Sequence, residues 1–202
     1  MPEPVRGAIL AGGGATRMGG AAKGLLTVGG RRILDRLVDA FLEAQGSLPL
    51  LVANATDAAH WREDLRVVSD LRPGGGSLGG LYTAVMQAPA PVVCVAWDMP
   101  FVPAALIRLL GEGLARADVC IPASGGRRGL EPLCAGYGPG SGPAMAQALD
   151  RGDLRAIAFH ESVRVQVVAD GELRRVLGDD HARLWFNVNT VDDLAQANGM
   201  VS

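Results

Sequence analysis

Apolar and polar positions along this chain alternate between two rhythms. Short runs dense in aliphatic and β-branched residues occur at VRGAIL (5–10), LPLLVA (48–53), LRVVS (65–69), PVVCVA (91–96) and DVCIPA (118–123), with EPLCAGY (131–137) and VRVQVVA (163–169) following. Runs of this length that end at glycine, proline or aspartate, with little in-out alternation, predict strands covered on both faces. Between the first two, RRILDRLVDAFLEA repeats at helical spacing and gathers Ile33, Leu34, Leu37, Val38, Phe41 and Leu42 onto one apolar face. Further helices are predicted at LGGLYTAVMQA, PAALIRLLGEGLARA, SGPAMAQAL and VDDLAQA, and LRPGGGSLGG (71–80) reads as an ordered loop. Strand followed by helix, repeatedly, predicts an α/β fold of Rossmann-like type, with a mostly parallel central sheet and helices on both faces. No internal repeat or compositional break divides the chain, so residues 1–202 are read as one domain.

In open parallel sheets, ligands lie beyond the carboxyl ends of the strands. The loops after GAIL, LLVA, VVS and VCVA are therefore expected to border one crevice. The first, LAGGGATRMGGAAKG (10–24), is rich in glycine. Absent Cβ atoms let a phosphate approach closely, and backbone N–H groups at the start of a helix attract it. Neither common phosphate motif fits, however. Gly12 and Gly14 are followed by Arg17 where the dinucleotide fingerprint wants glycine, and Lys23 precedes Gly24 rather than Ser or Thr. Of the 19 basic residues 18 are arginine, and the one lysine, Lys23, falls in this loop. A compact ammonium suits bridging phosphate oxygens where a planar guanidinium fork does not. Lys23 and Arg17 together point to triphosphate binding.

Asp98 ends the run PVVCVAWD and precedes Pro100 by two, which places its carboxylate at the carboxyl edge of the sheet. A hard ion such as Mg²⁺ needs few carboxylates when phosphate oxygens and water complete its shell. Asn54 and Asp70 stand at two further strand ends, suited to ribose hydroxyls or base N–H groups. A carboxylate there takes the paired N1 and N2 donors of guanine, which adenine does not present together. Near the C-terminus, WFNVNTVDDLAQA places Asn187 and Asn189 in alternation, then Thr190 with Asp193 three residues on, in a capping-box pattern. Asn189 is a candidate to offer its carbonyl to a metal or phosphate. His60, His160 and His181 have neither metal-like spacing nor a visible nucleophile beside them.

Composition narrows the partners. A formal net charge of -2, with 49% hydrophobic and 20% charged residues, favours neither disorder nor general polyanion binding, so no nucleic-acid partner is expected. No apolar run reaches the length of a membrane span and no secretory signal pattern is present, which predicts a cytoplasmic protein with no membrane partner. Cys94, Cys120 and Cys134 lie far apart inside apolar segments and read as reduced core residues.

LAGGGATRMGGAAKG, GGGSLGGL, WDMPFVP and FNVNTVDDLA, in that order, resemble the nucleotidyltransferases that mature molybdenum cofactor, the guanylyltransferases foremost. The resemblance runs from about Leu10 to Leu194 and implies the fold of nucleotide-diphospho-sugar transferases. It implies that Leu10, Ala11, Gly12, Gly13 and Lys23 hold GTP, that Asn54 and Asp70 belong to the nucleotide site, and that Asp98 contacts both nucleotide and Mg²⁺. Asn189 would supply a second metal contact, and Arg17, Lys23 and Asp98 would be catalytic. GMP would pass from GTP to the terminal phosphate of molybdopterin, with RRGLEPLCAGY and the C-terminal third facing that acceptor and with molybdoenzyme-maturation proteins as further partners. Two positions depart from the family: Ala15 stands where serine is common, and Trp97 is bulkier than expected before the aspartate, and both changes are expected to bear on nucleotide fit. A cytidylyltransferase acting on the same pterin, another sugar-nucleotide-like nucleotidyltransferase, or a nucleotide- or cofactor-binding module without catalysis remains an alternative reading.

Overall fold

A computed structural model of the chain describes residues 4–12, 22–88, 90–125 and 129–201. Each of the seven apolar runs forms a strand: β1 (Arg6–Ala11), β4 (Leu50–Ala53), β5 (Val67–Val68), β6 (Val92–Ala96), β7 (Val119–Pro122), β8 (Cys134–Tyr137) and β9 (Val165–Val168). They make one sheet in the order β5-β4-β1-β6-β8-β7-β9. All neighbours are parallel except β8, which runs antiparallel to both β6 and β7. Apolar runs covered on both faces look alike in either direction, so this reversal leaves no mark in the hydropathy pattern.

Period-2 geometry sends successive side chains of β1 to opposite faces, and the two cores follow from it. Ile9 joins one core with α1 (Ile33–Gln45) and α3 (Ala104–Gly113), whereas Ala8 and Leu10 join the other with α2 (Gly76–Gln87) and α4 (Gly142–Asp150). The α1 stripe is buried as expected at Ile33, Leu34, Leu37, Val38 and Phe41, but Leu42 lies at its margin and is 38% exposed. Helix α1 approaches β1 so closely that a Cβ at Gly7 would sit 2.5 Å from the Phe41 ring. It stops at Gly46, whose φ of 67° ends the helix in the left-handed conformation that glycine adopts at least cost.

Two elements are additional to the pattern reading. A short ribbon pairs β2 (Thr27–Val28) with β3 (Arg31–Arg32), and α5 (Asp170–Leu177) buries only Leu173 and Leu177. The last helix, α6 (Val191–Gly199), begins with the expected capping box: Thr190 Oγ1 accepts from Asp193 N at 3.1 Å and Asp193 Oδ2 from Thr190 N at 2.8 Å. It then returns to the front of the chain, where Asn198 Oδ1 accepts from Gly29 N at 2.9 Å. The three cysteines are buried free thiols, and burial pushes Cys120 up to about 11. Among the described residues no helix is long and apolar enough to cross a membrane.

Candidate nucleotide site

Because β1, β4, β5 and β6 are parallel, their carboxyl ends share one edge, and a crevice of about 480 Å³ opens there. Its wall contains Leu10, Ala11, Gly12, Lys23, Asn54, Asp70 and Asp98, together with Gly76, Ser77 and Gly80 from the start of α2. The crevice thus brings together most of the residues singled out in sequence. Gly13 and Arg17 lie outside the described residues, as does Ala15.

Each polar group is held by its own local chemistry. Asn54 and Asp70 clasp reciprocally, with Asn54 Nδ2 donating to Asp70 Oδ2 at 2.7 Å and Asp70 N donating to Asn54 Oδ1 at 2.8 Å. The amide of Asn54 is thereby committed to aiming Asp70, whose carboxylate keeps acceptor capacity for a ligand. Gly80 leaves room in front of it, since a Cβ there would stand 3.9 Å from Asp70 Oδ1. The glycine-rich stretch before α2 is tied down as well. Leu71 N donates to Thr83 Oγ1 at 2.9 Å, that hydroxyl donates to Gly79 O at 2.8 Å, and Gly74 and Gly76 take φ of 81° and 57°. The unpaired N–H groups at the start of α2 consequently border the crevice, where an anion is favoured.

Lys23 opens a single 3-10 turn, Lys23–Leu25. Its Nζ donates to Asn189 Oδ1 at 2.7 Å and stands 3.6 Å from Asp98 Oδ2. Asn189 is fixed from behind, because its own N–H donates to the capping carboxylate of Asp193 at 2.9 Å, and Val188 N donates to Asp98 O at 2.8 Å. Asn189 reaches the site through Lys23 and is not itself part of the crevice wall. Beneath the turn, Gly24 rests on the indole of Trp97: a Cβ at Gly24 would fall 3.0 Å from Cδ2 and 3.2 Å from Cζ3. Trp97 is 5% exposed and stacks on Trp61 with centroids 5.0 Å apart. Of the two departures expected to bear on nucleotide fit, Trp97 therefore lies below the crevice, as a floor for Lys23.

Burial pushes the Asp98 carboxyl above its ordinary range, and the nearby ammonium of Lys23 offsets part of that rise. Among the described residues no group of three or more His, Cys, Asp or Glu side chains is placed to hold a metal. One carboxylate in the wall of this crevice nevertheless fits an ion that takes most of its oxygens from phosphate and water. Asp98 is the donor so placed, and Asn189 Oδ1 accepts from Lys23 with one lone pair left over. The histidines lie elsewhere: His160 meets the edge of Phe159, and His181 bonds Asp170.

A second, wider basin of about 800 Å³ adjoins the crevice, sharing Ser77 and Leu133 with it. Leu130 to Leu133, from the segment expected to face an acceptor, form one wall, and residues 152–156 form another. Arg127 and Arg128 of that segment lie outside the described residues. Glu131, which the sequence reading did not single out, is placed here. Burial and the charge of Asp98 push its carboxyl up, and Leu133 N donates to its Oε1 at 3.3 Å. The signal available in sequence was an acidic residue set directly before a proline and a buried strand.

Residues 7–167 match the MobA-like NTP transferase domain. The "Probable molybdenum cofactor guanylyltransferase" of Pelotomaculum thermopropionicum is 36% identical over 195 residues, which cover 96% of this chain and 92% of that protein. The molybdenum cofactor guanylyltransferase of Desulfosudis oleivorans is 29% identical over 98% of this chain and 96% of its own length. Among solved structures, molybdopterin-guanine dinucleotide biosynthesis protein A from Archaeoglobus fulgidus superposes with a TM-score of 0.80 at 25% identity, covering 96% of this chain and 97% of its own.

Proposed function

The chain belongs to the MobA-like NTP transferase family, and from that premise we propose that it is a molybdenum cofactor guanylyltransferase, which moves GMP from GTP to the terminal phosphate of molybdopterin. The observation that carries the reading is the convergence of Lys23, Asp98 and Asp70 on one crevice at the carboxyl end of β1. GTP lies with its base toward Asp70, which accepts the N1 and N2 donors of guanine, and with its phosphates toward Gly12, Lys23 and the start of α2. An oxygen of the acceptor phosphate attacks the α-phosphorus in line. A new P–O–P bond forms, the α–β bond breaks, and pyrophosphate leaves with the electron pair. The acceptor is already an anion, so no general base and no covalent intermediate are needed.

Charge gathers on the α-phosphate oxygens and on the leaving pyrophosphate, and preorganised positive groups aimed there lower the barrier. Lys23 supplies one, moving from Asn189 to phosphate oxygens over a short path. Arg17, from the same loop, is assigned a second. Asp98 would hold Mg²⁺, with Asn189 as a further oxygen donor, and the ion would supply charge neutralisation at the phosphates.

The test is pyrophosphate release by the full-length chain with Mg²⁺, molybdopterin and each of GTP, CTP, ATP and UTP. Release with GTP alone is expected. Release with CTP in its place makes the chain a cytidylyltransferase, and nucleotide binding without release makes it a binding module.

A further inference from the structure

Glu131 is a half-buried carboxylate in the lining of the second basin, and among the described residues no cation pairs with it. The arginine that borders the same basin, Arg155, is committed to Asp153, with its Nε 2.8 Å from Oδ1. A half-buried carboxylate with a single amide donor on it keeps acceptor capacity toward the basin, where the N–H groups of a ligand can meet it. Leu130, Pro132 and Leu154 supply the apolar surface beside it that a flat ring would cover.

The crevice offers Asp70 and the adjoining basin offers Glu131, so each chamber has a carboxylate acceptor. The two molecules joined in the proposed reaction carry the same hydrogen-bonding edge, because the 2-amino-4-oxopyrimidine of guanine recurs in a pterin. We propose that Glu131 is the specificity residue for the acceptor, its carboxylate taking the ring N–H and 2-amino donors of an aminopyrimidinone heterocycle in the basin beside the nucleotide crevice. The proposal rests on the guanylyltransferase reading for its acceptor, but the recognition it describes needs no turnover.

The experiment is therefore direct binding. 6-Hydroxymethylpterin and 6-hydroxymethyllumazine are titrated into the full-length chain with GTP present. The lumazine replaces the 2-amino donor with a carbonyl that faces a carboxylate unfavourably. A site built around N–H donors rejects such an analogue steeply, so a preference for the pterin of about tenfold or more is expected. In Glu131→Gln the carboxamide offers one donor and one acceptor to either ring, and the preference is expected to vanish while the GTP-induced rise in Tm stays the same. Equal binding of the two heterocycles to the wild-type chain, binding of neither, or an undiminished preference in Glu131→Gln overturns the proposal. Pyrophosphate release is followed separately. A chain that discriminates the heterocycles but transfers no GMP refutes the guanylyltransferase reading and upholds Glu131. A chain that transfers GMP equally well as Glu131→Gln, with unchanged KM for the acceptor, refutes Glu131 alone.

Discussion

Lys23 is held from several sides, with its ammonium 2.7 Å from Asn189 Oδ1, 3.6 Å from Asp98 Oδ2, and an indole beneath the next residue. Lys23→Met is expected to lower kcat for guanylyl transfer by about 10²- to 10³-fold, in line with loss of one preorganised charge, with the far-UV spectrum unchanged. Lys23→Arg is expected to rescue little, because a planar fork does not reproduce a point charge in that gap. Turnover within about threefold of wild type in either variant removes Lys23 from the mechanism. The floor under Lys23 gives a second expectation. Gly24→Ala drives a methyl group into Trp97 and should cost about 1–3 kcal/mol in denaturant unfolding, as overpacking does. Combined with Trp97→Leu, which vacates that space, the penalty should fall, and strict additivity of the two changes contradicts the contact. Lys23 and Asp98 were legible in the sequence because one is the lone lysine and the other ends an apolar run. Glu131 was not, since an acid before a proline ordinarily marks a turn, and only the folded chain places it against a second chamber.

Helix α1 illustrates what holds an element beyond its apolar stripe. Asp35, in its first turn, receives Arg32 Nε at 2.6 Å and Arg62 Nη1 at 3.0 Å, and Arg32 Nη1 reaches Trp61 O at 2.8 Å, so the helix is pinned to the loop beneath the tryptophan pair. Burial alone would raise the Asp35 carboxyl, but the two guanidinium groups prevail and hold it below its ordinary value. A carboxyl depressed in the folded state stabilises the protein above the ordinary aspartate range, and that contribution is lost as pH falls through the depressed value. Asp35→Asn is thus expected to cost about 1–2 kcal/mol at neutral pH, with the gap to wild type closing in acid below the ordinary aspartate pKa. A gap independent of pH in urea unfolding contradicts this. At the element scale, period and run length were informative wherever a segment buries a whole face, as α1 and the strands do. They failed for α5, which buries only Leu173 and Leu177, and for β2 and β3, which are held as a ribbon by cross-strand pairing and by the contact of Gly29 with Asn198.

For the whole molecule, the two cores flank one sheet and bury all three thiols, with Cys120 pushed up to about 11 and Cys94 and Cys134 likewise pushed well up by burial. Thiolate is the reactive form, so the native chain is expected to leave Ellman's reagent nearly untouched at pH 8, releasing its colour only as denaturant unfolds it. Prompt labelling in native buffer contradicts the burial of these residues. Saturating GTP with Mg²⁺ should slow that labelling further, because a ligand that binds only the native state divides the unfolded-to-native ratio by one plus the ratio of free ligand concentration to Kd. The architecture also has a temporal consequence. Lys23 belongs to the first strand's loop, yet its partner Asn189 and the Asn198 clasp on Gly29 come from the far end of the sequence. During synthesis, the segment carrying Lys23 leaves the ribosome long before either asparagine is made. A nascent chain can assemble much of its sheet, but the lysine acquires its setting only after residues 189 and 198 have emerged, so the proposed phosphate site around Lys23 is finished last and chains arrested before that point lack its asparagine partner.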